Sequence, residues 1–158
     1  MINKYTFNII LFNPLIPPNT GNIIRLCANT GSRLHLIKPL GFSLDEKSLR
    51  RAGMDYSKKV DMNLYENVDD FLKNIKNKKI FLITKSGNQT YEKPKYIFGD
   101  YFLFGSETSG LPDYVYEKLK DSPRISIPMV CGNRSLNLAN AVSICIYEAW
   151  RQNNFLFP

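Results

Sequence analysis

Residues 5–37 read YTFNIILFNPLIPPNTGNIIRLCANTGSRLHLI, and this stretch decides the fold. Tyr5 to Phe12 is rich in β-branched and aromatic residues, which predicts a strand. Pro14, Pro17 and Pro18 then break the chain into a loop. Asn19 or Thr20 supplies a side-chain cap for a helix from about Gly21 to Thr30, and Gly31 ends it. Arg33 to Ile37 is a second strand. A strand, a helix and a strand in succession mark a sheet with parallel neighbours.

The rest of the chain repeats the alternation. Asp45 to Ala52 reads as a short basic helix carrying Arg50 and Arg51. Asn67 to Ile75 is helical, with Val68, Phe71, Leu72 and Ile75 on one face. Lys79 to Thr84 (KIFLIT) and Tyr101 to Phe104 (YFLF) are strands. Pro112 to Leu119 is a helix opened by proline. Arg124 to Ile127 is a last short strand, and Ser135 to Arg151 the final helix. The expected architecture is α/β, with a mostly parallel sheet and helices on both faces, in one domain over residues 1–158. No repeat, low-complexity stretch or linker interrupts it. Between Leu136 and Trp150 the final helix is apolar nearly all round its middle. A surface helix shows one apolar stripe, so this one needs cover on more than one side. In so small a chain a second subunit is a natural cover, and wrapping by the chain itself is the alternative.

The 158 residues are 44% hydrophobic, 13% aromatic and 22% charged, which are values of a globular protein. The formal charge of +7 suits a polyanionic partner, nucleic acid foremost, and also suits plain solubility. Cys27, Cys131 and Cys145 are odd in number, form no C-x-x-C and sit among apolar neighbours. They are expected to be core residues in a reducing cytoplasm, with no disulfide framework and no metal site. No apolar run approaches the roughly 20 residues of a membrane helix. Met1 to Ile10 lacks the features of a secretion signal. His35 alternates with Leu34 and Leu36, as a structural strand histidine does. Ser-His-Asp and Cys-His chemistry thereby lose their usual base.

Three loops at predicted strand ends are candidates for a ligand site, because ligands of such sheets bind beyond the carboxyl ends of strands. The first, Asn13 to Arg25, gathers Asn19, Gly21, Asn22 and Arg25 at a helix start, where amides and the helix N-terminus suit a sugar or phosphate. The second, Leu103 to Pro112, holds Gly105, Gly110 and one carboxylate, Glu107. It is not a P-loop, since Leu111 and Pro112 stand where Lys and Ser or Thr should follow, and no G-x-G-x-x-G is present. The third, Ile127 to Asn140, places Ser135, Asn137 and Asn140 at the final helix. From the residues alone the chain is an α/β protein with a three-loop ligand site and a basic surface.

The ordered set PPNTGNIIRLCANTG (Pro17 to Gly31), LRRAGMDY (Leu49 to Tyr56), FGSETSGLP (Phe104 to Pro112) and IPMV with NRSLNLANAVSICIYEAWRQ (Ile127 to Gln152) closely resembles the SpoU branch of the SPOUT RNA methyltransferases. Within it, the resemblance is to the group that methylates the ribose of wobble nucleotide 34 of tRNA. Other tRNA or rRNA sites, or a non-catalytic RNA-binding role, are the alternatives. The resemblance implies a C-terminal deep trefoil knot, a homodimer with the final helix at its interface, and S-adenosylmethionine as methyl donor. It assigns the cofactor to Ile83, Thr84, Gly105, Ile127, Met129, Ser135 and Leu136. It assigns catalytic positions to Arg25, Glu107, Ser135, Asn137 and Tyr147. Contacts to tRNA fall on Asn19, Asn22, Arg50 and Arg51, with Lys58 and Lys59 as further basic candidates.

Overall fold

The computed structural model describes residues 4–45, 47, 60–75 and 78–158. The opening unit forms as strand β1 (Asn8–Phe12), helix α1 (Pro17–Thr30) and strand β2 (Arg33–Ile37). The helix begins four residues earlier than the prolines suggest. Pro17 and Pro18 occupy its first two positions, and no side chain caps it. Proline fits there because its missing N–H would have no partner in the first turn anyway. Gly31 ends α1 in the left-handed region at φ 66° and returns its N–H to the carbonyl of Cys27. The expected helix at Asp45 to Ala52, with Arg50 and Arg51, lies almost wholly outside the described residues.

The chain continues through β3 (Met62–Tyr65), α2 (Val68–Asn74), β4 (Ile80–Ile83), β5 (Gln89–Thr90), β6 (Tyr101–Phe104), α3 (Asp113–Lys118), β7 (Arg124–Ser126) and α4 (Leu138–Gln152). The sequence reading missed β3 and β5. The first is a partly exposed edge strand and the second spans two residues, so neither shows a hydrophobic period. All strands run parallel in the order β3-β2-β1-β6-β4-β7-β5. β6 enters between β1 and β4, and β7 between β4 and β5, so both close gaps between strands laid earlier in the chain.

Both faces of the sheet are covered, and the period of two along each strand sorts the side chains. Ile9, Leu11, Leu34, Leu36, Phe81, Phe102 and Ile125 pack with α1 and α4 on one face. Ile10, Phe12, Ile37, Leu82 and Leu103 pack with Val68 and Phe71 of α2 and Val115 of α3 on the other. Cys27 and Cys145 are buried, whereas Cys131 is exposed, on a loop that no apolar layer covers. α4 presses Leu138, Val142, Cys145, Ile146 and Ala149 into the core, and leaves Tyr147 45% exposed. Most of its apolar girth is therefore covered by the chain itself. His35 lies buried in β2, hydrogen-bonded to Tyr65 Oη (3.0 Å) and Asn8 Oδ1 (3.1 Å).

Candidate active site

In this parallel sheet the carboxyl ends of β1, β6, β4 and β7 lie side by side. The loops that follow them surround one cleft of about 690 Å³. The loop after β6 is closed on itself. Ser106 and Gly110 exchange two backbone hydrogen bonds, at 3.1 and 3.0 Å, around Glu107, Thr108 and Ser109. Gly105 has no room for a side chain, since a β-carbon there would meet the backbone of Gly110 and, at 2.6 Å, the amide nitrogen of Leu111.

Glu107 reaches from this loop to the one before α1. Its Oε2 accepts from the amide of Leu15 at 2.8 Å, and its Oε1 from the amide of Ile16 at 3.0 Å and from Asn19 Nδ2 at 3.2 Å. Asn19 Oδ1 in turn accepts from Asn137 Nδ2 at 2.8 Å. Asn137 Oδ1 caps α4 by accepting from the amides of Ala139 (2.9 Å) and Asn140 (3.3 Å). Three loops and two helix N-termini are thus joined through the side chains Glu107, Asn19 and Asn137. Asn137, and not Ser135, is the cap of the final helix, so α4 starts three residues later than expected. An asparagine at the cap supplies the acceptor that the orphan N–H groups of a helix start need.

The profile of the SpoU rRNA Methylase family matches residues 6–147. The chain belongs to this family. It is a methyltransferase with the SPOUT fold. A relative from Methylovorus glucosotrophus (strain SIP3-4), named tRNA (cytidine(34)-2'-O)-methyltransferase, is 48% identical over 149 residues, or 94% of this chain and 97% of its own. A solved structure, described as giving structural insights into the 2-OH methylation of C/U34 on tRNA, superposes with a TM-score of 0.88 at 40% identity, over 97% of this chain and 99% of that one. The SpoU methyltransferase AviRb from Streptomyces viridochromogenes, solved in complex with the cofactor AdoMet, superposes with a TM-score of 0.82 at 24% identity, over 98% of this chain and 60% of that one. That last likeness shows the shared fold.

In this SpoU methylase Ile83, Thr84, Gly105, Ile127, Met129, Ser135 and Leu136 all line the one cleft, together with Asn19, Glu107 and Asn137. Arg25, Asn22 and Tyr147 do not. Asn22 and Arg25 are exposed on α1, and Arg25 stands about two turns into the helix because the helix starts at Pro17. Tyr147 lies on the outer side of α4 with its ring 5.9 Å from that of Trp150. Arg50, Arg51, Lys58 and Lys59 fall outside the described residues.

The cleft also holds residues that the sequence reading passed over. Tyr116 of α3 lines it and donates its hydroxyl to Thr84 Oγ1 at 2.8 Å, while the Arg124 guanidinium lies 4.6 Å above the Tyr116 ring. Lys85 and Arg134 line it as well. Each directly adjoins an assigned residue, Thr84 or Ser135, so the rule that sites gather at strand ends could have found the pair. Tyr116 had no such signal. It reaches the cleft because α3 packs across the sheet. Among the described residues no group of three or more His, Cys, Asp or Glu is placed to hold a metal ion, and no helix is long and apolar enough to cross a membrane.

Proposed function

We propose that this chain is an S-adenosylmethionine-dependent tRNA ribose 2′-O-methyltransferase acting on wobble nucleotide 34. The observation that carries the reading is the convergence of four separate strand-end loops on one cleft, in a chain that matches tRNA (cytidine(34)-2'-O)-methyltransferases over nearly its whole length.

The cleft suits an adenosine-bearing ligand. Its volume, about 690 Å³, is that of a small-molecule site. Ile83, Ile127, Met129 and Leu136 offer apolar surface for an adenine. Open space lies beside Gly110, where a built β-carbon meets nothing within 4 Å. Bound there, S-adenosylmethionine would supply the sulfonium methyl that a ribose O2′ accepts. The work left to the protein is orientation and handling of the hydroxyl proton. Glu107, Asn19 and Asn137 act together as positioning residues, because their polar groups are spent on holding the loops. The Ser135 hydroxyl, exposed at the cleft, is free to meet the ribose. The Arg25 guanidinium is a cation with a planar fork of donors, which suits a phosphate or a developing alkoxide.

The rest of the proposal follows the resemblance. β6 and β7, each inserted between earlier strands, support a C-terminal trefoil knot. Tyr147, Phe155, Leu156 and Phe157, all exposed in one protomer, support a homodimer with α4 at its interface. Light scattering without RNA should then give about twice the 18.2 kDa chain mass. A reducing cytoplasm, where tRNA is matured, suits the unpaired cysteines.

Mapping 2′-O-methyl ribose in tRNA from cells lacking this protein tests the reading. Loss of the methyl at nucleotide 34 alone is expected. Loss at another tRNA or rRNA site would move the substrate, and no loss at all would remove the activity. For Arg25, replacement by alanine should cut methyl transfer about a hundredfold while cofactor affinity stays within a few-fold. Near-normal transfer would take Arg25 out of the mechanism.

A further inference from the structure

Two cations at the cleft form no ion pair among the described residues. Lys85 follows β4, Arg134 sits in the loop after β7, and both line the cleft with exposed side chains. Ion pairs among the described residues engage Arg33, Lys38, Lys93, Lys118 and Arg151, but neither of these two. The single carboxylate in the cleft lining is Glu107, and both of its oxygens accept N–H groups. Lys85 and Arg134 against Glu107 leave the cleft lining with a net positive charge.

Backbone geometry fixes where Lys85 stands. Thr84 donates its amide to the Ile125 carbonyl at 2.9 Å, and the amide of Gly87 returns to the Thr84 carbonyl at 3.3 Å, closing a turn around Lys85. A β-carbon on Gly87 would meet the Ile125 carbonyl oxygen at 2.9 Å, so this turn lies flat against β7. Arg134 has the opposite setting, within residues 128–137, every one of them exposed.

We infer that Lys85 and Arg134 each hold a backbone phosphate of the RNA, one on each side of the nucleotide presented to the cleft. The inference rests on the methyltransferase reading above. Charge favours a phosphate as the occupant. The sulfonium of the methyl donor is itself a cation, which free lysine and arginine at the mouth repel. Phosphates entering with the RNA relieve that repulsion, so substrate and donor assist each other. Two cations on separate loops also match a chain of regularly spaced anions better than one small anion.

The test measures tRNA binding by Lys85→Ala, Arg134→Ala and the double variant between roughly 50 and 200 mM salt. Lys95→Ala, an exposed lysine away from the cleft, is the matched control. Each cleft variant should weaken binding several-fold and lower the slope of log affinity against log salt by about one, the double by about two. Arg134→Lys should keep the slope. Adenosylmethionine affinity, measured by calorimetry without RNA, should not fall, and should rise by no more than a few-fold as the repulsion of the sulfonium is removed. An unchanged slope in the double variant overturns the inference. Lost cofactor affinity with intact RNA binding also overturns it, and gives the two cations to the carboxylate of the methyl donor. If the wild type binds RNA but methylates none, the enzyme reading fails, and the slopes still decide the phosphate contacts by themselves.

Discussion

The loop after β6 and the loop after β7 line the same cleft and are built in opposite ways. The first is pinned by paired backbone hydrogen bonds, by a glycine with no room for a side chain, and by a carboxylate that grips the neighbouring loop. The second is exposed at every position from 128 to 137, with Val130 78% exposed. The tie reaches it at Asn137, where α4 begins. A site that turns over needs both kinds of wall. One fixes geometry before the ligand arrives, and the other admits and releases it. The stability of the cleft should accordingly reside in the Glu107 side, and residues along the exposed loop should be nearly neutral for folding.

Glu107→Ala breaks this comparison most severely. It removes the acceptor of two backbone amides and of Asn19; hydrogen bonds to a charged group contribute roughly 1.5–3 kcal/mol each, and less where water can replace the acceptor, as at the exposed Leu15 and Ile16. A loss of about 3 kcal/mol is expected, together with most methyl transfer. Glu107→Gln, which keeps one acceptor oxygen, should recover part of both. Thermal unfolding and turnover on one preparation check this, and wild-type behaviour of the alanine variant would show that the tie holds nothing.

Acid supplies a comparison that touches neither loop. Burial, and then the nearby Arg33, hold the His35 imidazole down to about 4 against an ordinary value of 6.5. The ring stays neutral in the fold, while the unfolded chain takes up its proton first as the pH falls. Stability from this source is complete above about pH 6.5 and declines between there and pH 4, by about 3 kcal/mol in all. Unfolding midpoints from pH 7 to 4.5 should fall less steeply for His35→Asn than for the wild type. Equal slopes would mean that His35 is not the group responsible.

Asn137→Ala sharpens the boundary between the two walls. It removes a helix cap, which costs about 1 kcal/mol, and frees Asn19 from the third loop. Stability should fall modestly, and the Michaelis constant for the methyl donor should rise more than the stability loss would suggest. The smallest effect is assigned to Cys131→Ser in the exposed loop, within about 0.5 kcal/mol of wild type. A larger loss there would show that the loop packs against something, a second subunit included.

Local pattern made much of this legible. Arg33 to Ile37 and Tyr101 to Phe104 were bounded correctly because their apolar runs end on polar or glycine residues. Gly31 ended α1 as expected, since the left-handed cap there excludes most other residues. The start of α1 was misplaced because proline serves both as a breaker and as a first-turn residue. The start of α4 was misplaced because Ser135 and Asn137 are both good caps. Only the Asn19 contact, from a segment 118 residues away, fixes Asn137 in the role.

The sequence by itself determined the alternation of strand and helix, the glycines that turn the chain, and the three polar loops whose order marks the family. Those features depend on local conformational preference and on the period of side chains, which neighbouring residues set. Tertiary structure decided the strand order, and with it which loops became neighbours. It turned Glu107 and Asn19 toward each other and gathered Lys85, Arg134 and Tyr116 at the cleft. It left Arg25 and Tyr147 on the outer faces of their helices. These are contacts between segments far apart in the chain, and no local preference encodes them. They arise when β6 and β7 enter the sheet between strands laid earlier in the chain, and the packing of both faces then fixes each helix over its strand ends.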